Sequence, residues 1–306
     1  MKLIELLGKN NVKGDYALEL EVEGTSLPDV FNAYWETTID GSLRGEAKEY
    51  VSKGPKSIKQ LDNALKNLND RFQDSDSVIN QSYRTSTHVH QNVLHLEMEE
   101  LFTLIYLYYL YEELLVTFSG ENRKGNRFCL RLRDAEGVIE NILNTFKQNS
   151  KFLKRVSHRK VDAEIWGNSC RYSALNLASI AKFGSLEYRS LRGTTDRETI
   201  TLWVKLLDCL KNAAIFFKTP LSVKDCLDNN GVADLSLKVF GDLFRHIEFN
   251  GWENDVAYNA SLAIQLPYEL SYSSEEEVKK MWGNNPLVMP DEMPIDAFNR
   301  LAEEQW

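Results

Sequence analysis

Apolar and polar residues alternate with period two along LELEVEG, Leu18 to Gly24, so Leu18, Leu20 and Val22 face one way and Glu19, Glu21 and Glu23 the other. The same alternation marks SLEYRSL, Ser185 to Leu191, which puts Leu186, Tyr188 and Ser190 on one face and Glu187, Arg189 and Leu191 on the other. A third strand is predicted around THVHQN, Thr87 to Asn92, with His88 and His90 on a shared face. Trp35 to Tyr50 reads as strand, turn, strand, with Asp40-Gly41 as the hairpin signal. Arg171 to Leu177 reads as an antiparallel neighbour of Leu186 to Leu191. Elsewhere the period shifts to that of a helix. Ser57 opens one, with Ile58, Leu61, Leu65, Leu68 and Phe72 on its apolar stripe. Asp196 caps a second, carrying Ile200, Trp203, Val204, Leu207, Leu210, Ala214 and Phe217, and Pro220 closes it. Glu97 to Phe118 reads as one long helix, apolar nearly all round from Leu101 to Leu110 and hence buried against a sheet. Gln73 to Gln81 reads as loop, Asp134 to Lys160 as one or two helices with a basic end, and Ser222 to Asp228 and Asp234 to His246 as two flanking helices. The fold class expected is α+β: a curved, mainly antiparallel β-sheet with an acidic and histidine face open to a ligand and helices on the other face.

Composition adds boundaries. The 306 residues are 43% hydrophobic and 26% charged, an ordinary globular balance. A net charge of -9 argues against a general nucleic-acid-binding surface. The longest apolar run is far short of the roughly 18 residues of a membrane span, and the polar start after MKLIELLGKNN does not resemble a signal peptide. Four cysteines without a CxxC pair predict reduced thiols and a cytoplasmic protein. After Pro267 nine acidic residues face three basic ones, with Pro286, Pro290 and Pro294 among them. Residues 1–266 are therefore expected to form one domain and 267–306 an acidic, Pro-containing arm, with Trp282 and Trp306 as anchors on this chain, a neighbouring subunit or another protein.

Some side chains suggest chemistry. Glu187 and Arg189 share a strand face just ahead of a helix N-terminus, a combination suited to a metal-bound phosphate, although an internal ion pair on an exposed strand has the same pattern. Glu19, Glu21 and Glu23 repel one another unless water or a cation separates them. His88 and His90 are either core or surface histidines or metal ligands. Glu46 and Glu49 fit a surface turn or an acidic site, and Arg44 either faces phosphate or pairs with Glu46. SGENRKGNRFCLRLR, Ser119 to Arg133, is a solvated loop or a mobile flap that brings Arg123, Lys124 or Arg127 to an anion. No GxxxxGK[ST] sequence is present, and no Ser–His–Asp order or reactive-cysteine motif stands out.

Taken in order, ELEVEG, DGSLRGEAKEYVS (Asp40 to Ser52), THVH, CRYSALNL and GSLEYRSLRGTTD resemble the phage and bacterial amidoligases, carboxylate–amine ligases of the glutamine synthetase and glutamate–cysteine ligase superfamily. The resemblance implies a glutamine synthetase-like catalytic domain that uses ATP and Mg²⁺. It implies Glu19, Glu21, Glu49, His88 and Glu187 as metal ligands, His90 as an ATP or further metal contact with the two histidines interchangeable, and Arg189 with Arg192 or Arg44 at the phosphoryl group. Arg123 and Arg127 become ATP contacts on the flap, and Arg171, Tyr172 and Asn176 candidates for the substrate side. The implied reaction joins a small-molecule or peptide carboxylate to an amine through an acyl phosphate. Two alternatives stand beside it: a phosphotransferase of the same architecture, such as a guanidino kinase, or a non-enzymatic assembly protein acting through its acidic arm. The resemblance also points to a phage-encoded origin, and so to the host cytoplasm.

Overall fold

A computed structural model describes residues 2–80, 82–126, 128–132, 173–246 and 252–262. Among them seven strands form a single sheet: β1 (Tyr16–Thr25), β2 (Trp35–Thr38), β3 (Ala47–Ser52), β4 (Val78–Asn80), β5 (Thr87–Asn92), β6 (Leu175–Asn176) and β7 (Ser185–Tyr188). The order is β2-β3-β1-β5-β7-β6, with β4 beside the end of β1, and every pairing is antiparallel. Each expected strand has a counterpart among the described residues, although β7 ends at Tyr188, and of the 171–177 neighbour, whose first two residues lie outside the described ones, only β6 is strand. Residues 78–80, expected as loop, add the short β4 instead.

Among the described residues the α-helices are α1 (Leu3–Leu7), α2 (Ile58–Asp74), α3 (Met98–Leu110), α4 (Glu112–Ser119), α5 (Ala178–Phe183), α6 (Arg197–Phe217), α7 (Pro220–Phe240) and α8 (Trp252–Leu262). Ser57 and Gln60 close a reciprocal capping box at the start of α2, and the Asp196 carboxylate accepts from Thr199 N–H at 2.9 Å at the start of α6. The single helix expected over 97–118 is instead α3 and α4, bent by 64° at Tyr111. The two flanking helices expected after Pro220 are both present within α7, on either side of a kink at Gly231, whose φ of 80° lies outside the helical range.

One sheet face meets the helices. Leu18, Leu20, Tyr50, Val89, Leu186 and Tyr188 are buried there. Gln91 binds the Leu207 carbonyl of α6 at 3.1 Å, and the Tyr188 ring lies 5.6 Å from that of Tyr108 on α3. Leu101 to Leu110 are buried on all sides because α3 is enclosed by the sheet, α6, α7 and α8. Among the described residues no single helix is long and apolar enough to cross a membrane. The 267–306 arm, Trp282, Trp306 and the basic stretch 151–160 lie outside the described residues.

Candidate active site

The second sheet face carries a diagonal line of facing acids and histidines. Thr38 stands opposite Glu49, Glu49 opposite Glu21, Glu19 opposite His88, His90 opposite Glu187 and Glu187 opposite Asn176. Period-two geometry places all of these side chains on the face away from the helices. Five of the residues singled out from the sequence, Glu19, Glu21, Glu49, His88 and Glu187, meet here, together with His90, Arg189 and Asn176.

Glu19 stands between the histidines. Its Oε2 is 3.3 Å from His88 Nδ1 and its Oε1 3.3 Å from His90 Nε2. Burial disfavours the Glu19 carboxylate, but hydrogen bonding and charge from His88 and His90 outweigh it and hold the carboxyl well below the usual range. Burial likewise opposes ionisation of Glu187, and the charges of His88, Arg189 and His90 overcome it, so this carboxyl is also lowered. Burial works against protonation of His90, yet Glu19 and Glu187 raise its pKa. Glu49 moves the other way: burial raises its pKa against the Thr38 hydrogen bond of 2.6 Å, and the charges of Glu19 and Glu21 add to the rise.

The Ser86 hydroxyl sets the orientation of His88. Ser86 gives its main-chain N–H and its hydroxyl to Glu21 Oε2, at 2.8 and 2.6 Å. A hydroxyl has one proton, and Ser86 gives it to Glu21, so Ser86 Oγ accepts from His88 Nε2 at 2.7 Å. His88 Nδ1 is then turned towards Glu19 and, at 3.6 Å, Glu187 Oε1. Glu187 is held from both sides: Asn176 donates to its Oε2 at 2.6 Å and Arg189 Nη1 to its Oε1. Arg189 Nε has no hydrogen-bond partner among the described residues.

Two groups of donors have the spacing of a cation site, with one atom of each residue within 4.8 Å of the others: Glu19, His90 and Glu187, and Glu21, Asp40 and Glu49. Oxygen-rich sets of this kind suit a hard divalent cation. Asp40 was not a candidate in the sequence, where Asp40-Gly41 reads only as a turn. Its Oδ1 does accept from Ser42 N–H, as turn residues do, but the turn also brings the carboxylate to Glu49.

Other candidates have different surroundings. Arg123 is 2% exposed, and its guanidinium donates to the carbonyls of Ser190, Tyr83, Thr85 and Arg189 at 2.8–3.3 Å. This corrects the expectation of a mobile phosphate-seeking arginine: Arg123 is a buried clamp. Lys124 pairs with Glu121 on the surface, and Arg127, Arg171 and Tyr172 lie outside the described residues. Arg44 is exposed and turns its guanidinium onto the carbonyls of Gly41, Ser42 and Leu43 rather than onto Glu46. Glu46 accepts from Leu27 N–H and Glu23 from Arg44 N–H, so both acids tie down loops. Arg192 donates to the Phe118 carbonyl at 3.3 Å. The start of α6, expected to face an anion, is capped by Asp196, and Arg197 forks onto Asp62.

The alternation expected through Leu191 fails for a local reason. Val89 pairs with Tyr188, but Ser86 pairs with Arg192, so four steps on one strand face three on the other. This bulge returns Leu191 to the core, where it is fully buried, while Glu187 and Arg189 stay together at the site. Gly193 follows because its backbone closes on Thr85, whose Oγ1 would lie 2.3 Å from an added Cβ.

No curated protein matches this chain. A family model described as "Putative amidoligase enzyme" matches residues 19–210, a span that runs from the first acid of the diagonal through β7 into α6. That span is more than half of the chain, and it holds every member of the two donor groups, so the chain belongs to the amidoligase enzyme family.

Proposed function

We propose that this protein is an ATP- and Mg²⁺-dependent carboxylate–amine ligase that activates its carboxylate as an acyl phosphate. The observation that carries the reading is the acid–histidine diagonal ending at Arg189, in a chain of the amidoligase family. Glu19 and Glu187 with the two histidines would hold one Mg²⁺, and Glu21, Asp40 and Glu49 a second. The donor chemistry fits: Glu21, Asp40 and Glu49 offer only carboxylate oxygens, Glu19 and Glu187 add two more carboxylates beside the histidines, and no thiol is among the donors. Bound magnesium supplies charge neutralisation for the triphosphate.

The chain's own residues do the positioning. Glu19 and Glu187, with lowered pKa values, stay ionised at neutral pH. Asn176 fixes Glu187 in place, and Ser86 fixes His88. Arg189 lies beside this set and offers a guanidinium to a transferring phosphoryl group. In the first half-reaction a carboxylate oxygen attacks the γ-phosphorus and ADP leaves. In the second the amine nitrogen attacks the acyl carbon, the bond to the phosphate oxygen breaks, and phosphate and one amine proton depart as the amide forms. Such chemistry needs position and charge rather than a covalent nucleophile.

The test is ADP release from MgATP across a panel of acids and amines, with mass analysis of the product. Release that requires both partners, with a product equal in mass to acid plus amine minus water, is expected; Glu187→Gln lowers it by about a hundredfold or more. ADP release with a single substrate and a phosphorylated product would make the protein a phosphotransferase.

A further inference from the structure

Next to the diagonal lies a cavity of about 300 Å³, at the lower end of the range for small-molecule sites. Val12, Ala17, Val51, Pro55 and Phe183 supply its apolar walls. Val12 and Phe183 are large apolar side chains left partly in water, 41% and 51% exposed, and both line this one hollow. Their positions are fixed without a ligand. Asn92 Nδ2 donates to the Val12 carbonyl at 3.4 Å and to the Gly14 carbonyl at 3.1 Å. The Phe183 ring, under the Lys182 ammonium, meets the His90 ring edge to face, with centroids 5.6 Å apart.

The polar side chains of the lining are already engaged. Ser52 Oγ accepts from Leu18 N–H at 2.8 Å, and Asn92 Oδ1 accepts from Leu94 N–H at 3.1 Å. His90 Nδ1 pairs with Ser185 Oγ at 3.1 Å; its Nε2 makes no hydrogen bond among the described residues but faces Glu19 Oε1 at 3.3 Å. Glu19 is itself shared between His88 and His90. A nucleobase, a sugar or an amide drawn inside would give up water and find few partners in return. A hydrocarbon chain loses no hydrogen bond there and gains burial against the apolar walls. Charge takes no part in this choice, because a head group of either sign stays outside.

We propose that this cavity is a binding slot for an aliphatic chain, on a ligand whose polar head rests at the mouth beside the diagonal. That the chain belongs to one of the two substrates to be joined rests on the ligase reading; the slot's choice of hydrocarbon does not.

The experiment follows binding to the full-length protein by ligand-observed nuclear magnetic resonance, with n-alkanols, n-alkanoates and n-alkylamines, each from ethyl to octyl. Affinity is expected to rise about fourfold per methylene, by the same factor for every head group, until the slot is full. Ala17→Leu, which fills the slot from a half-buried position, removes the rise. Phe183→Ser, at an exposed ring, flattens it without touching the core. Phe216→Ser, at a ring 69% exposed on α6 that is not part of the lining, leaves the rise as in the wild type. A lack of dependence on chain length, a rise confined to one head group, or a rise that Phe216→Ser flattens as much as Phe183→Ser would overturn the proposal. Displacement of octanol by MgATP would do so too, since the slot would then hold the nucleotide base. Failure of the ligase reading shows itself separately: the dependence on chain length stands, and no pair of acid and amine releases ADP from MgATP.

Discussion

Arg123 Nη2 donates to the main-chain carbonyl of Arg189 at 2.8 Å. One arginine thus anchors the backbone of another, whose own guanidinium holds Glu187. The same Arg123 side chain binds the Ser190 carbonyl of the bulge and the Tyr83 and Thr85 carbonyls ahead of β5. Removing it leaves four main-chain carbonyls without this donor, two of them, on Ser190 and Thr85, in buried surroundings. Arg123→Met is expected to cost about 3 kcal/mol, which lowers the melting midpoint by roughly 6–12 °C at this size. Thermal denaturation by circular dichroism checks it. A variant that melts like the wild type and only raises the KM for ATP would return Arg123 to the role of a phosphate ligand.

Ser86 belongs to neither donor group, yet it binds Glu21 of one group and controls His88 beside the other. Ser86→Ala removes the acceptor for His88 Nε2 and one of the two donors to Glu21. Loss of such supporting bonds at metal sites typically costs 10–100-fold in affinity. Titration with Mn²⁺, followed by its electron paramagnetic resonance signal, is expected to show a loss in that range, about 1.4–2.7 kcal/mol, with Ser86→Thr closer to the wild type.

The pH dependence of stability has a defined sign at His90. Its pKa is raised above 6.5 in the folded protein, so its contribution is complete below that value and is lost as the pH rises through the raised pKa. Glu19 has a lowered pKa, so its contribution is present above its ordinary value near 4.5 and disappears only in strong acid. The metal-free protein is therefore expected to lose stability from about pH 6.5 upwards. Melting midpoints between pH 6 and 9 test this against His90→Gln, which lacks the titrating group. Parallel pH profiles for the two proteins would remove His90 from the account.

The sheet and most of its site were legible because period two leaves little freedom: once Leu18 and Leu20 are buried, Glu19 and Glu21 must face the other way. The same rule failed at Leu191. A bulge costs one residue and leaves no compositional mark, so an apolar residue in the expected alternation belonged to the core after all. Arg123 was misread because charge alone does not say whether a guanidinium will meet a phosphate or main-chain carbonyls. The bend between α3 and α4 was hidden by uniform hydrophobicity, since a segment buried on every side carries no periodic signal to interrupt. Asp40 was masked by its second role as a turn residue.

That second role makes Asp40 the sharpest probe of metal stoichiometry. Glu21 and Glu49 face each other across β1 and β3, and Asp40 reaches them from the turn after β2. The second donor group, Glu19, His90 and Glu187, lies towards the other end of the diagonal and shares no residue with the first. Asp40→Asn keeps an oxygen that accepts from Ser42 N–H, so the turn should survive, but it removes one charge from the first group alone. Isothermal titration with Mn²⁺ is expected to find two sites in the wild type and one site of unchanged affinity in Asp40→Asn, with at least about a tenfold loss at the other. A proportional weakening of both sites would mean that the diagonal holds its cations as one coupled cluster, and a single site in the wild type would mean that the Glu21 group is only an acidic neighbour of the Glu19 site.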